Sequence, residues 1–370
     1  MIKVLFFIPT LAHGGAEKVL VNLVNNMDKS RFDITVQTLF AGGVNEQFLN
    51  SDIHYKSCFK KAFRGNSQIL KLFSPERLYK RFIKEHYDII VSYLEGPTAR
   101  IVSGCTDKDT KLVSWIHCKM DTPQSASVGF RNFDEARKCY SRFDNTVCVS
   151  EWVMNYFSDT FSFEKPIEVL YNTIETDLIV SKSKEEVTDV KFSDECVNIC
   201  SVGKITKVKG FERLASIHKR LLEENINSRV YILGIGEEQP AIEKYLKENG
   251  LTDSFVFLGY NANPYKYVKR CDLYVCSSYS EGFSTSVTES LIVGTPVVTT
   301  LCSGMQEMLG ENNEYGIVTE NNEDALYEGI KKMLTTPGML EDYAKRAKER
   351  GKEFSTEKTT KAVENMFTRL

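Results

Sequence analysis

The sequence lacks several features that would define its class at once. No stretch approaches the ~18 consecutive apolar residues that a membrane helix needs. The ten cysteines include no CxxC pair, and most lie in apolar runs, so we expect reduced, buried thiols and no metal site. The formal net charge of −3 favours no particular partner. These absences exclude a membrane-spanning protein and a disulfide-rich secreted domain.

We do not expect the N-terminal apolar run to be a secretory leader. The first apolar run is short and ends in His13-Gly14-Gly15 instead of a small-residue cleavage site. We therefore interpret it as a first buried strand and expect a cytoplasmic protein.

The length and pattern predict an α/β protein with two domains. A chain of 370 residues exceeds what one hydrophobic core usually supports. Short apolar runs such as 4–8, 88–92 and 111–116 alternate with helical patterns, and the second half repeats this plan from residue 198 onward. Such alternation is typical of parallel strands joined by crossover helices. We expect two doubly wound, Rossmann-like domains that face each other across a cleft.

The domain boundaries follow from composition. We predict an N-terminal, acceptor-side domain over residues 1–175 and a linker over 176–195, because 181–195 is charged and has little apolar periodicity. A nucleotide-sugar-binding domain would cover 196–337. Residues 338–370 are predicted to form helices that pack back toward the N-terminal domain.

Two glutamates eight positions apart form the most informative motif. Glu281 follows the apolar strand pattern LYVCSS, and Glu289 falls inside the helix that begins near Ser284 and ends near Gly294. The start of that helix would offer free amides and a positive dipole end to a phosphate. The spacing alone equally fits two exposed charges near a helix start.

A lysine-containing glycine turn is the second motif. Gly203 and Lys204 follow a predicted strand, and Lys209 and Gly210 precede a helix. Such turns at the carboxyl end of a strand bind phosphates, although the Walker A pattern is absent here. A solvated basic loop is the alternative. Single glycine turns at Gly14-Gly15 and at Gly234 and Gly236 are weaker signals, since an ordinary strand-to-helix turn also explains them.

Taken in order, these motifs resemble those of family 4 glycosyltransferases, retaining enzymes of the GT-B fold. The resemblance covers nearly the whole chain and rests on a set of ordered elements: Gly14-Gly15-Ala16-Glu17, His117, Gly203-Lys204, Lys209-Gly210-Phe211, Gly234-Ile235-Gly236, Phe257-Leu258-Gly259-Tyr260 and the Glu-x7-Glu motif from Glu281 to Glu289.

The resemblance implies specific roles. Glu281 would bind the transferred sugar and Glu289 the ribose, while Lys204 and Lys209 would bind the diphosphate. His117 would contact the donor sugar near its reacting carbon and, with Glu281, would count as catalytic. The remaining implied donor-binding positions are Gly14, Gly15, Gly203, Gly234, Gly236, Leu258, Tyr260, Gly282, Phe283, Ser284 and Thr285.

Two positions depart from the family pattern. Lys204 stands where arginine is common, so the diphosphate would meet a point charge instead of a bidentate fork. Ser284 stands where the family usually has glycine. Both residues keep the required charge or polarity, and activity is still expected.

The expected mechanism needs no metal or other cofactor. Asp107-Lys108-Asp109 resembles a metal-binding DxD motif, but it precedes a predicted strand instead of following one, and we interpret it as a turn. Lysines and helix-start amides would then stabilise the leaving diphosphate. The sequence pattern places no carboxylate as a nucleophile, so front-side displacement with retention is favoured, as the family implies.

A basic, aromatic-rich stretch lies between His54 and His86. It carries nine lysines and arginines against two glutamates. This composition suits adsorption to anionic lipid, and the candidate membrane patch comprises Lys60, Lys61, Arg64, Arg77, Lys80, Arg81 and Lys84. Crossover helices with a solvated basic face are the alternative; a nucleic-acid surface is not expected, because no recognition motif accompanies the charge.

These patterns predict a metal-independent, retaining glycosyltransferase. It would move a hexose or N-acetylhexosamine, with UDP as the expected carrier, to a lipid-linked or cell-envelope acceptor at the inner face of the plasma membrane. Transfer to a soluble small molecule or glucan is the nearest alternative, and a non-catalytic partner subunit is the second. A dinucleotide-dependent oxidoreductase is disfavoured, because the first turn reads GGAE instead of GxGxxG and Asp33 precedes the second strand.

Overall fold

The computed structural model describes residues 1–12, 14–163 and 165–370. They fold into two compact units. Unit 1 comprises Met1–Ile174 and Thr356–Leu370, and unit 2 comprises Glu175–Ser355.

Unit 1 is built on a parallel sheet that has seven strands in the described residues, in the order β3-β2-β1-β4-β5-β6-β7. The strands are β1 (Ile2–Ile8), β2 (Phe32–Phe40), β3 (His54–Phe59), β4 (Ile89–Ser92), β5 (Lys111–Ile116), β6 (Asn145–Cys148) and β7 (Ile167–Val169). The central strands are continuous apolar runs because helices cover both faces of a parallel sheet. The connecting helices are α1 (Gly15–Asn26), α2 (Asn66–Leu72), α3 (Pro75–Phe82), α4 (Pro97–Val102), α5 (Pro123–Ala126), α6 (Phe133–Tyr140) and α7 (Glu151–Phe161).

Unit 2 repeats this plan with six parallel strands in its described residues, in the order β10-β9-β8-β11-β12-β13. They are β8 (Val197–Val202), β9 (Ser228–Leu233), β10 (Phe255–Gly259), β11 (Leu273–Cys276), β12 (Val297–Thr300) and β13 (Ile317–Thr319). Its helices are α8 (Thr176–Ser183), α9 (Phe211–Glu223), α10 (Gln239–Glu248), α11 (Tyr265–Val268), α12 (Thr285–Val293), α13 (Met305–Leu309), α14 (Glu323–Thr335) and α15 (Met339–Gly351).

The last helix, α16 (Thr356–Arg369), returns to unit 1. The Phe367 ring packs 5.9 Å from the Phe6 ring and 6.1 Å from the Phe32 ring, measured between centroids. The buried Glu364 accepts a hydrogen bond of 2.8 Å from the Asp28 amide. Helix α16 therefore completes the core of unit 1 over β1 and β2.

The α/β class and the two doubly wound sheets confirm the fold expected from the sequence. Three local details differ from the expectation. Helix α8 lies inside the stretch expected to be a linker, and α15 belongs to unit 2 while α16 belongs to unit 1. Strand β3 lies within the basic stretch. It is an edge strand with largely exposed side chains, so its sequence does not show the alternation of apolar and polar residues that marks a half-buried strand.

Candidate active site

Two loops of unit 2 meet at the carboxyl edge of its sheet. Residues 203–210 follow β8 and residues 277–284 follow β11, and the strand order reverses between these two neighbouring strands. In doubly wound sheets, ligands bind in the crevice that this reversal opens. The lysine turn and the Glu-x7-Glu motif are therefore brought together by topology.

The backbones of the two loops touch at Gly210. Its φ of +61° is in the left-handed region, and a Cβ atom there would lie 2.2 Å from the Ser277 carbonyl oxygen. The Tyr279 amide donates to the Val208 carbonyl at 2.8 Å, and the Ser277 hydroxyl donates to the Lys209 carbonyl at 2.9 Å. Glycine is required at residue 210 because any side chain would separate the loops.

Glu281 and Lys209 form an ion pair across these loops. Oε1 of Glu281 accepts from Lys209 Nζ at 2.6 Å and from the Ser278 hydroxyl at 2.5 Å. The glutamate side chain is 10% exposed and the lysine side chain 26%. An ammonium has three donors, so Lys209 keeps two for a ligand. The pair presents a positive charge and a carboxylate side by side.

Lys204 lies on the same turn with an exposed side chain. A Cβ atom on Gly203 would lie 3.5 Å from Cε of Lys209, so the lysine stem runs over this glycine. The turn therefore carries two positive charges: Lys204 is exposed, and Lys209 is paired with Glu281.

Helix α12 begins beside this pair. Ser284 is its N-cap residue, as expected, but its hydroxyl makes no capping bond and instead lies 3.2 Å from the Ser286 hydroxyl. Gly294 ends the helix with a φ of +78°, which confirms the expected C-cap. Since no side chain caps the first turn, its amides form the positive end of the helix dipole. Glu289 lies in the next turn, half-buried, and accepts from the Tyr265 hydroxyl at 3.2 Å.

The residues between Glu281 and α12 contribute mainly backbone. Phe283 is buried, with its ring 6.0 Å from the Phe354 ring. Gly282 and Thr285 are half-buried. The aromatic anchor fixes this short connection against the unit 2 core.

The glycines of the neighbouring turn have a packing role. A Cβ atom on Gly234 would lie 1.9 Å from the Gly203 carbonyl oxygen, and one on Gly236 would lie 2.1 Å from the Ile205 carbonyl oxygen. The Gly234 amide also donates to the Gly259 carbonyl at 2.8 Å. Close contact between the loops after β8, β9 and β10 therefore explains both glycines without a ligand.

Leu258 and Tyr260, two of the positions expected to bind the donor, lie at the end of β10. Leu258 is half-buried, and the Tyr260 side chain is 70% exposed. Gly259 between them has a φ of +71°.

In unit 1, His117 follows β5 and is buried. Its ring lies 4.8 Å from the Tyr93 ring between centroids, and Nε2 has no partner among the described residues. Burial lowers the pKa of His117 to about 3. The imidazole is therefore neutral at pH 7 and can donate or accept a hydrogen bond, but it carries no charge.

Glu95 fixes the backbone at His117. This half-buried residue, which follows β4, accepts through its carboxylate from the amides of His117 and Cys118, the latter at 2.6 Å. Burial raises the pKa of Glu95, although these amides oppose the shift.

The first glycine turn lies at the start of α1. Gly14 is the N-cap residue, and a Cβ atom there would meet the Glu17 carboxylate. At Gly15 a Cβ atom would meet no atom of the described residues within 4 Å. The backbone at Gly15 is thus open to a ligand.

Three residues at these loops were not predicted from the sequence: Ser278, Arg213 and Glu95. Glu95 carried a signal, since it follows a buried strand at the carboxyl edge. Arg213 resembles an ordinary basic residue of an amphipathic helix, and the loop around Ser278 contains several serines, so neither has a distinguishing pattern.

The Asp107-Lys108-Asp109 segment lies in a bend between α4 and β5. Asp107 accepts from the Asp109 amide at 3.0 Å and lies 2.7 Å from Nδ1 of His86. It precedes β5, at the opposite edge of the sheet from His117.

The basic stretch exposes charge and apolar surface together. The seven candidate lysines and arginines between Lys60 and Lys84 are all exposed. Beside them, Ile69, Leu72 and Phe73 are 44%, 77% and 45% exposed. We call Lys60, Lys61, Phe63, Arg64, Ile69, Leu72 and Phe73 the α2 surface.

A buried arginine holds α2 in place. Arg100, 1% exposed, donates to the Leu70 carbonyl at 3.0 Å and the Phe73 carbonyl at 2.6 Å, and pairs with Glu135 at 2.9 Å. Arg131 Nε donates to the Lys71 carbonyl at 2.6 Å. The exposed apolar face of α2 is therefore presented by a rigidly held helix. No helix in the described part of the chain is long and apolar enough to span a membrane.

Two family models match the chain. "Glycosyltransferase Family 4" matches residues 13–178, and "Glycosyl transferases group 1" matches residues 183–350. The structure also aligns over its full length with Anabaena Alr3699/HepE solved in complex with UDP, at a TM-score of 0.77 and 16% identity over 100% of both chains. The apo lipopolysaccharide outer core galactosyltransferase WaaB aligns at a TM-score of 0.75 and 16% identity, again over 100% of both chains.

Curated relatives agree with this class. The N-acetylgalactosamine-N,N'-diacetylbacillosaminyl-diphospho-undecaprenol 4-alpha-N-acetylgalactosaminyltransferase of Campylobacter jejuni is 28% identical over 96% of both chains. The lipopolysaccharide 1,6-galactosyltransferase of Salmonella typhimurium is 21% identical over 89% of this chain and 84% of its own length. The fold is GT-B, and the two family models define the class as glycosyltransferase. The chain belongs to glycosyltransferase family 4, as the sequence motifs indicated.

Proposed function

We propose that this glycosyltransferase transfers a hexose or N-acetylhexosamine from a nucleotide diphosphate sugar, with UDP as the nucleotide, and that the anomeric configuration is retained. The ion pair between Lys209 and Glu281 carries this proposal. It places a cation and a carboxylate next to an uncapped helix start at the topological switch point of unit 2. A sugar diphosphate needs this combination, since its phosphates are anionic and its hydroxyls donate hydrogen bonds.

The roles divide along the donor. Glu281 accepts from hydroxyls of the transferred sugar, while Lys204, Lys209 and the α12 amides receive the diphosphate. Glu289 accepts from the ribose hydroxyls, and the backbone at 258–260 holds the base. A solved neighbour of this fold, Anabaena Alr3699/HepE, was crystallised with UDP-glucose, which supports a donor of this class.

In unit 1, we propose that His117 and the Gly14-Gly15 turn also serve the donor. Because burial keeps the imidazole neutral, His117 would hydrogen-bond the sugar instead of acting as a cation. Gly15 would allow backbone approach to the ligand, since space at its Cβ position is open.

We further propose that the reaction proceeds without a metal. The developing charge on the leaving diphosphate would be met by Lys204, Lys209 and the helix amides, which are fixed before the reaction begins. The test is turnover after exhaustive EDTA treatment, with the product's anomeric configuration assigned by NMR. Unchanged turnover and a retained configuration are expected. Restoration of activity only by an added divalent cation, or an inverted product, would contradict the proposal.

The acceptor is proposed to be lipid-linked or part of a cell-envelope glycan. The Campylobacter jejuni relative is named for a diphospho-undecaprenol-linked acceptor, and the Salmonella typhimurium relative for lipopolysaccharide. The α2 surface supports this proposal, because exposed lysines beside exposed apolar side chains suit the headgroup region of an anionic membrane. We therefore place the enzyme at the cytoplasmic membrane face.

The membrane proposal is tested by flotation with vesicles that contain phosphatidylglycerol. Changing Leu72 and Phe73 together to serine should greatly reduce flotation, and 1 M salt should weaken it through charge screening. The matched control changes Leu178 and Val180 of unit 2, 44% and 37% exposed, to serine. Equal flotation of both double variants, or equal turnover of soluble and lipid-linked acceptors, would favour a soluble acceptor.

A further inference from the structure

Arg213 on α9 is a buried cation without an acidic partner among the described residues. It is 3% exposed. Its guanidinium donates to the Ser277 carbonyl at 2.6 Å, to the Ser278 carbonyl at 2.6 Å and to the Asn321 side-chain oxygen at 3.0 Å. Burying an arginine is costly unless its donors are satisfied. Here neutral oxygens satisfy them, and two of these are backbone carbonyls of the loop that leads to Glu281.

The guanidinium also stacks on that loop. Its carbon lies 4.0 Å from the centroid of the Tyr279 ring. Arg213 therefore contacts three consecutive loop residues, through two carbonyls and one ring. A planar fork fits two adjacent carbonyls in a way that a lysine ammonium cannot.

Ser278 connects the contacts made by Arg213 to the carboxylate of Glu281. Its carbonyl accepts from Arg213, from the Thr300 hydroxyl at 2.6 Å and from the Cys302 thiol at 3.2 Å. Its hydroxyl donates to Oε1 of Glu281 at 2.5 Å. A serine held by three donors at its backbone has little freedom to move its side chain.

The two oxygens of Glu281 are used differently. Oε1 accepts from the Ser278 hydroxyl, from Lys209 and, at 3.8 Å, from the Cys276 thiol, while Oε2 has no partner in the described part of the chain. Three donors on one oxygen fix the rotation of the carboxylate. The second oxygen is thereby left for a ligand, at an orientation that the loop determines.

We infer that Arg213 is a positioning residue that, through Ser278, fixes Glu281 with one oxygen bound by the protein and the other offered to the transferred sugar. The inference rests on the proposed function of Glu281. The contacts of Arg213 and Ser278 should therefore affect the transfer of the sugar. The affinity for UDP, which lacks the sugar, should not depend on these contacts.

The test compares Ser278→Ala, Arg213→Lys and the double variant with the wild type. Ser278→Ala removes the hydroxyl and keeps the carbonyl that Arg213 holds. We expect kcat to fall about tenfold or more in each single variant, because misorientation by a fraction of an ångström affects the reacting geometry. The Kd for UDP, measured by calorimetry, should change less than about threefold. The double variant should lose much less than the product of the two single losses, since both changes act through Glu281.

Arg220→Lys is the matched control. Arg220 lies on the same helix, stacks 3.9 Å from the Tyr327 ring centroid and donates to Asp324 at 2.7 Å. It should leave kcat unchanged. Unchanged kcat in Ser278→Ala, fully multiplicative losses, or equal losses in kcat and UDP affinity would overturn the inference. Absence of turnover in the wild type with any nucleotide sugar would instead refute the proposed function.

Discussion

Charged and titratable side chains in this protein differ in whether an oppositely charged partner accompanies their burial. Lys209 and Glu281 form an ion pair, with 2.6 Å between Nζ and Oε1. His117 and His218 are buried without a carboxylate partner among the described residues, and burial lowers the pKa of His117 to about 3 and that of His218 to about 4. The first pair suits ligand binding, whereas the histidines affect the pH dependence of folding.

We predict that stability falls as the pH drops below about 6.5. In the unfolded chain a histidine protonates near pH 6.5, but folded His218 stays neutral down to about pH 4. The unfolded state then binds more protons, so the free energy of unfolding decreases between these values by up to about 1.4 kcal/mol per pH unit for each histidine. Urea unfolding at several pH values measures this.

Substituting the buried histidine should flatten that dependence. His218→Gln removes the titrating group, while the control His54→Gln changes a histidine whose side chain is 71% exposed. Identical pH slopes for the two variants would show that His218 does not titrate on unfolding.

At the scale of the element, the carboxyl edge of the unit 2 sheet gathers the candidate site. The loops after β8, β9 and β10 are pressed together at Gly203, Gly234 and Gly259, and those after β8 and β11 meet at Gly210. Backbone contact between loops thus explains several glycines that a sequence reader assigns to ligand binding.

Gly210→Ala should reduce both stability and turnover. The left-handed backbone at φ +61° costs a non-glycine residue about 1–2 kcal/mol, and the new Cβ atom would also lie 2.2 Å from the Ser277 carbonyl oxygen. Gly250→Ala is the control, because its φ of +67° gives similar strain with no atom within 4 Å of the Cβ position. Thermal unfolding and donor turnover distinguish the two.

Only Gly210→Ala disturbs the contact between the loops after β8 and β11. We expect Gly250→Ala to lower the melting temperature modestly and to leave turnover intact. Equal effects of both substitutions on turnover would mean that the contact at Gly210 does not hold the site.

Much of this edge could be predicted from the sequence. Parallel strands place their carboxyl ends together, so strand patterns followed by Lys204 and by Glu281 indicated a shared crevice. The partners of Glu281 could not be predicted. The Ser278 hydroxyl depends on a rotamer, and Arg213 reaches the loop from a helix 64 positions away in sequence.

For the whole molecule, the chain order differs from the division into units. Unit 1 contains both ends of the chain, because α16 packs on β1 and β2 through Phe367. The sequence predicted amphipathic tail helices but could not show that α15 stays with unit 2, since periodicity marks an apolar face and not its partner.

Removing residues 356–370 should destabilise unit 1 selectively. The truncation exposes Phe6 and Phe32 and removes the acceptor of the Asp28 amide. Phe367→Ala should act in the same direction and cost about 3–5 kcal/mol. Hydrogen exchange resolved by peptide should show faster exchange in β1 and β2, with β8 and β11 unchanged. Equal acceleration in both units would contradict this account.

The central claim is that Glu281 binds the sugar of a nucleotide diphosphate donor. The most direct measurement is nucleotide release from a panel of UDP-, GDP- and ADP-sugars with a lipid acceptor extract, comparing the wild type with Glu281→Gln and with the exposed α10 control Glu248→Gln. We predict release from a UDP-sugar, at least about a hundredfold slower in Glu281→Gln at similar UDP affinity, and unchanged in Glu248→Gln. Wild-type turnover no faster than that of Glu281→Gln would contradict the account.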